Sequence, residues 1–243
     1  MGRKLRSETI EPGHPCHIVT RGNNRRRLFS YPYERLEFFR ILGAALDDTR
    51  CRLHVICLMT NHVHLLLTPP SVSAASDLMK VALQRYAQRR NNRRGGDGKL
   101  FDQRYFSVAI RDEAQLAATQ MYIESNPLRP AIVEDLADFP WSSYPIHACL
   151  DTGKVPANLL SPTTWYLSLG DSAAERGVAY RRAFAAYLER GDPPRHAEHL
   201  EIYEAASHPY ARRLRRPDGS SAREPLRLPM TFPPREYTRQ KST

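Results

Sequence analysis

No window of this 243-residue chain approaches the roughly 18 consecutive apolar residues of a membrane span. The N-terminus, MGRKLRSETIEPGHP, is basic but has no apolar core, so no secretory signal is expected. Cysteine is scarce. Cys16, Cys51, Cys57 and Cys149 show no CxxC spacing, which excludes a zinc ribbon or a dithiol redox motif. Reduced thiols in the cytoplasm are the plain expectation. Acidic residues are in short supply: 26 Asp/Glu face 36 Lys/Arg, for a net charge of +10. That balance favours a polyanionic partner. Residues 209–243 hold nine Lys/Arg, three Asp/Glu and six prolines, with few large apolar residues. The composition predicts a disordered basic tail. It suits an electrostatic arm for nucleic acid, and equally a solubilising tail.

The remainder is patterned. CHIVTRG (16–22) alternates and is β-rich, so it predicts a strand, followed by the basic turn RGNNRRR. Apolar residues at three- and four-residue spacing predict a helix over 33–49. RLHVICLMT (52–60) and HVHLLLT (62–68) predict an antiparallel hairpin. Residues 74–94 predict a second helix, NNRRGGDGK a loop, 104–112 a fourth strand, and 113–126 a helix ended by Pro127. The order β-α-β-β-α-β, then a helix, is that of an α+β, ferredoxin-like split βαβ fold. It predicts a central antiparallel sheet with helices on one face and the other face open to a ligand. PWSSYPIHACL (140–150) closes this unit. The expected division is a domain at 1–150, a helical extension at 151–208 and the tail at 209–243. AERGVAYRRAFAAYLERG, within the extension, predicts a helix that caps the core, the alternative being an added DNA-contacting or partner-binding element.

One strand carries the chemistry. His62 and His64 stand at positions i and i+2, so they project from one face and can reach one metal ion. Two hydrogen-bonded structural histidines would give the same spacing. A third group is available on the last helix. In YIESNP, Tyr122 and Asn126 are four apart and share a helix face. The Asn126 amide oxygen is a hard donor suited to Mg²⁺ or Mn²⁺. A phenol is a weak nucleophile at pH 7, but it is competent when placed in line with a metal-bound phosphate. Glu124 points away from Tyr122 by helical geometry. Tyr86 and Tyr105 are rival nucleophiles, but neither has an amide four residues on. Two basic clusters suit phosphate contacts: Arg21, Arg25, Arg26 and Arg27 after the first strand, and Arg85, Arg89, Arg90, Arg93 and Arg94 on the second helix.

CLMTNHVHLLL resembles the His-hydrophobe-His block of the single-tyrosine HUH transposases, and the chain most closely resembles the REP-associated tyrosine transposases. Their block reads CLMPNHVHLLL; Thr60 replaces the proline. HIVTRGNNRRRLF (17–29), GKLFDQRYFSVAI (98–110), YIESNPLRPAIV (122–133) and FPWSSY (139–144) resemble further blocks in the same order, covering roughly 10–150. Arg129-Pro130-Ala131 departs from the usual Arg-Ala-Gly. The resemblance implies that Tyr122 cleaves single-stranded DNA, leaving a 5′-phosphotyrosine and a free 3′-hydroxyl. It implies that His62 and His64 bind the metal, with Asn126 at the third-ligand position. The implied substrate is a palindromic REP-type hairpin with a single-stranded flank. Related enzymes include monomers and dimers, so the oligomeric state stays open.

Three other classes fit parts of the pattern. A non-catalytic regulator on the same fold would share its charge. An RNA-recognition module needs exposed aromatics on its central strands, where this chain has histidines and leucines. A zinc hydrolase needs a third strong ligand, which His17 or His54 supplies only if the fold brings it near.

Overall fold

The computed structural model describes residues 5–102 and 104–190. The expected tail at 209–243, and the part of the expected extension from 191 to 208, lie outside the described residues.

A short helix α1 (Arg6–Thr9) precedes β1 (Cys16–Arg21). Then come α2 (Pro32–Thr49), β2 (Arg52–Leu58), β3 (His62–Thr68), α3 (Val72–Arg94), β4 (Phe106–Ala109) and α4 (Glu113–Glu124). The described chain closes with α5 (Tyr144–His147), α6 (Thr164–Leu167) and α7 (Ala173–Arg190). The four strands form one antiparallel sheet in the order β2-β3-β1-β4. This is the split βαβ arrangement, with β3 and β1 central.

Local signals set the helix ends. The Ser71 hydroxyl accepts from the Ala74 N–H at the start of α3, and left-handed Gly95 ends it. The Asp112 carboxylate does the same for the Gln115 N–H at the start of α4. The fourth strand is shorter than the sequence pattern predicts. Residues 106–109 pair with β1, while Arg6 stacks on the Tyr105 ring just before them.

Alternation divides the sheet residues between two cores. Ile18, Leu53, Ile56, Leu58, Val63, Leu65 and Leu67 meet Phe38, Phe39 and Leu42 of α2 and Leu78 and Ala82 of α3. Each such Leu, Ile or Phe contributes about 1.5–3 kcal/mol by leaving water. These two helices lie on one face, as the fold class requires. The opposite face is not open, contrary to expectation. Val19, Val55, Cys57 and Leu66 pack there with Met121, Tyr122 and Ile123 of α4 and with Tyr180 and Phe184 of α7. The cause is legible in α4. Residues 119–124 are all buried, so this helix is covered on every side. Residues 151–190 therefore share a core with the sheet.

The β2 edge is also covered. Leu58 donates to the Trp141 carbonyl and Ser143 to that of Ile56. Ser161 donates to Leu53. These contacts satisfy ladder groups that would otherwise template aggregation. No helix among the described residues is long and apolar enough to cross a membrane.

Candidate active site

Register places the paired histidines. Arg21 of β1 faces His62 of β3, Val19 faces His64, and His17 faces Leu66. All six side chains project to the face that α4 covers. The His62 and His64 rings lie 4.9 Å apart, and the Tyr122 ring lies 6.3 Å from that of His64. The sheet and α4 thus bring the phenol of Tyr122 to two imidazoles that lie 60 and 58 residues before it in sequence.

A hydrogen bond sets the His62 tautomer, and the packing of His64 against His17 leaves one His64 nitrogen without a partner. His62 Nδ1 is 2.8 Å from Asn61 Oδ1. An amide oxygen only accepts, so Nδ1 carries the proton and Nε2 keeps its lone pair. His64 Nδ1 is 3.0 Å from His17 Nε2, and His64 Nε2 is buried without a partner. Burial pushes the His62 pKa down to about 3, with Arg21 adding to the shift. Burial also holds His64 well below the ordinary range, helped by His62, His17, Arg129 and Arg21. Both rings are therefore neutral, the form that binds a cation. An orphaned, buried imidazole nitrogen beside a second bare one fits a metal ion.

His17 is the neighbour that the sequence left conditional. It is fully buried and holds the far nitrogen of His64, as groups behind metal ligands commonly do. His54 is not brought near. Its Nδ1 lies 2.6 Å from the Ser161 carbonyl and its Nε2 2.8 Å from the Thr68 hydroxyl. Among the described residues, no three His, Cys, Asp or Glu side chains converge to hold an ion. A zinc-hydrolase site lacks its third ligand on that count. Asn126 is buried just past α4. Its Nδ2 donates to the Tyr122 and Ile123 carbonyls at 2.9 and 3.2 Å. The amide nitrogen is thereby spent on the helix end, and Oδ1 is the atom left for a ligand.

Tyr122 is 5% exposed. The guanidinium of Arg129 lies 3.9 Å from its ring centroid. Arg129 stands in the YIESNPLRPAIV block but sequence reasoning gave it no role. The rival tyrosines sit elsewhere. Tyr86 is buried against Phe29 and Phe38 and donates to the Leu28 carbonyl. Burial raises its pKa further. Tyr105 lies under Arg6.

Glu124 points away from Tyr122, as helical geometry requires, into a wholly buried cluster. It accepts from the hydroxyls of Ser143 and Tyr180 and pairs with His147 Nδ1 at 2.7 Å. Gln120 joins through its Nε2, 3.3 Å from His147 Nδ1 and 3.5 Å from the Tyr180 hydroxyl, and its Oε1 accepts from the Thr163 hydroxyl at 3.0 Å. Sequence reasoning missed this cluster; the serine of FPWSSY was its one local signal. A cavity of about 690 Å³ lies at the other end of β2, lined by α2 and residues 156–161, and contains none of these side chains.

The arginines divide by burial. Arg21 is buried beside His62, within the site rather than in the turn. Arg25, Arg26 and Arg27 are exposed on the turn, and Arg85 is exposed on α3. Arg89 pairs with Glu37 at 2.7 Å and Arg94 with Glu34 at 2.7 Å. Arg90 reaches the Arg27 carbonyl at 2.8 Å. Arg93 lies over the Tyr33 ring.

The four-stranded split βαβ sheet thus sets a tyrosine helix against paired histidines. The family model described as "Transposase IS200 like" matches residues 12–126, which span β1 through α4 and end on Asn126. Residues 12–126, a little under half of the chain, are thus similar to the IS200-like transposase family. Among solved structures, the chain is similar to a REP-associated tyrosine transposase bound to a REP hairpin, at 17% identity and a TM-score of 0.49. That match covers 64% of this chain and 90% of the other. A protein from Deinococcus radiodurans R1 described as a transposase matches at 21% identity and a TM-score of 0.35, covering 51% of this chain and 95% of the other. No curated protein matches the chain.

Proposed function

We propose that this protein cuts and rejoins single-stranded DNA through a covalent bond to Tyr122. The observation that carries this reading is the pair of bare Nε2 atoms of His62 and His64, set beside the Tyr122 ring on the transposase domain. His62, His64 and Asn126 Oδ1 would hold Mg²⁺ or Mn²⁺. When bound, such an ion supplies charge neutralisation at the scissile phosphate.

The residues of the chain do the rest. The Tyr122 oxygen attacks phosphorus. A phosphorus–oxygen bond to tyrosine forms and the bond to the 3′-oxygen breaks. The 3′-oxygen ends as a hydroxyl, so the proton lost by the phenol is balanced. A second 3′-hydroxyl reverses the step and joins strands without ATP. Arg129 is exposed and stacked on the ring. It sets positive charge beside the phenol that must release its proton, where the phosphate arrives. His17 is a positioning residue that holds His64 Nδ1 and leaves Nε2 for the ion. Arg25, Arg26, Arg27 and Arg85 meet phosphates, which gives affinity and salt dependence without sequence choice.

The sequence blocks support a REP-type hairpin as substrate, with the nucleoid in the cytoplasm as the place of action. The catalytic domain is read as 1–150, and 151–208 as an extension packed on it. The test is a labelled single-stranded hairpin incubated with the protein and Mg²⁺ or Mn²⁺, followed by a denaturing gel. A metal-dependent covalent adduct is expected, absent in Tyr122→Phe and in His62→Ala/His64→Ala. Tight binding with no adduct under either metal would sink the enzyme reading in favour of a non-catalytic regulator.

A further inference from the structure

Tyr31-Pro32-Tyr33 opens α2 with two tyrosines that are 54% and 42% exposed. Their rings lie parallel, 5.6 Å apart with 9° between planes. Apolar rings stacked in water at a helix entry contribute nothing to either core. Two arginines of α3 stand against them: the Arg93 guanidinium lies 4.9 Å from the Tyr33 ring and that of Arg94 5.4 Å from the Tyr31 ring.

The arrangement is built rather than incidental. Glu34 is 3% exposed. One of its oxygens accepts from the backbone N–H groups of Ser30 and Tyr31, and the other pairs with Arg94 at 2.7 Å. One buried carboxylate therefore fixes both the first tyrosine and the arginine beside it. Pro32 locks the backbone between the rings. The surface is thus ordered before any ligand arrives, which lowers the entropic cost of binding.

Its position also matters. Leu28 and Phe29 donate to the Thr60 carbonyl, and Gly22 to that of Asn61. Residues 22–31 therefore start at the His62 end of the sheet and lead to the tyrosine pair. Arg25, Arg26 and Arg27 are exposed along that path. Aromatic faces reached along a row of cations are what an unpaired DNA strand requires: phosphate contacts, then stacking for the bases.

We propose that Tyr31 and Tyr33, with Arg93 and Arg94, form a stacking site for an unpaired nucleobase in the single-stranded flank of the DNA. This rests on the reading that the protein acts on single-stranded DNA. The site holds a base by its face, so it tolerates any base and selects unpaired over paired DNA.

The test uses the full chain carrying Tyr122→Phe, so that binding is read without cleavage. Affinity is measured by fluorescence anisotropy for three DNAs: a hairpin with a single-stranded flank, the same hairpin with abasic flank positions, and the bare hairpin. Tyr31→Ala and Tyr33→Ala are expected to weaken binding of the flanked hairpin roughly 5- to 100-fold. They leave the other two DNAs unchanged. Tyr33→Phe keeps the ring and keeps the affinity. 2-Aminopurine in the flank is quenched by the parent and not by the alanine variants. Equal affinity of parent and alanine variants for the flanked hairpin overturns the stacking site, while adduct formation by the Tyr122 enzyme leaves the cleavage reading standing. A parent protein that binds no flanked hairpin and forms no adduct overturns both.

Discussion

Replacing Tyr180 by phenylalanine removes one oxygen from the buried cluster behind the site. The ring stays, with its neighbours His147, Tyr166, Trp165 and Phe184 at 5.5, 5.6, 5.8 and 5.8 Å. Tyr180 is fully buried, and its hydroxyl donates to Glu124. Burial, then Glu124, raises its pKa well above the ordinary value, so the phenol keeps its proton and donates at every working pH. Without that hydroxyl, Glu124 Oε2 loses its donor in a region water does not reach. The cost of leaving such a group unsatisfied is about 1–3 kcal/mol. At about 2–4 °C per kcal/mol for a chain of this size, the melting temperature falls by roughly 2–12 °C. Urea denaturation with linear extrapolation reads the same quantity at constant slope. Ser143→Ala removes a second donor to the same carboxyl group. The two changes should couple by at least about 0.5 kcal/mol in a double-mutant cycle. The functional consequence follows from helix geometry. Glu124 lies two residues beyond Tyr122 on α4 and ties that helix to α5 and α7. A loss below about 0.5 kcal/mol, the range of an inconsequential surface change, would refute the claim that this cluster secures the helix that carries Tyr122.

Three further outcomes are expected. Ala131 is exposed with φ +50° where the resembling family carries glycine. Ala131→Gly relieves about 1–2 kcal/mol of left-handed strain, less the added freedom of the unfolded chain; a net gain of about 0.5–1 kcal/mol in urea denaturation is expected, and a loss counts against the strain. A Cβ on Gly22 would sit 2.1 Å from the Arg26 carbonyl oxygen. Gly22→Ala should therefore destabilise by about 1–3 kcal/mol and weaken hairpin binding as the Arg25–Arg27 turn shifts; unchanged binding in an anisotropy titration would contradict this. His54 is pushed down to about 4 by burial. The unfolded state takes up that proton first, so the contribution of His54 to stability is complete above pH 6.5 and is lost at about 1.4 kcal/mol per unit between 6.5 and about 4. His62 and His64 are depressed in the same direction, so a denaturation series over that window should be shallower in His54→Gln by about 1.4 kcal/mol per pH unit rather than flat, and an equal slope in both proteins would argue against it.

Much of this molecule follows from local pattern. Alternation in CHIVTRG and HVHLLLT, helical spacing in 33–49 and 74–94, and Pro127 after α4 mark the elements, because each signal acts within a few residues. Their order implies the split βαβ sheet, and period-two spacing puts His62 and His64 on one face. Tertiary structure decided what no local spacing encodes. Which face of the sheet α4 covers depended on Val55, Cys57 and Leu66 finding apolar partners from residues far along the chain. Register between β1 and β3, a long-range pairing, brought His17 to His64 and Arg21 to His62. Arg89 and Arg94 read as free charges in a linear sequence, yet they are paired with Glu37 and Glu34 once α2 and α3 pack. Glu124 looked like a helix residue turned from the chemistry. Only folding surrounded it with Ser143, His147 and Tyr180, because a buried carboxyl group must find donors, and they come from three separate segments.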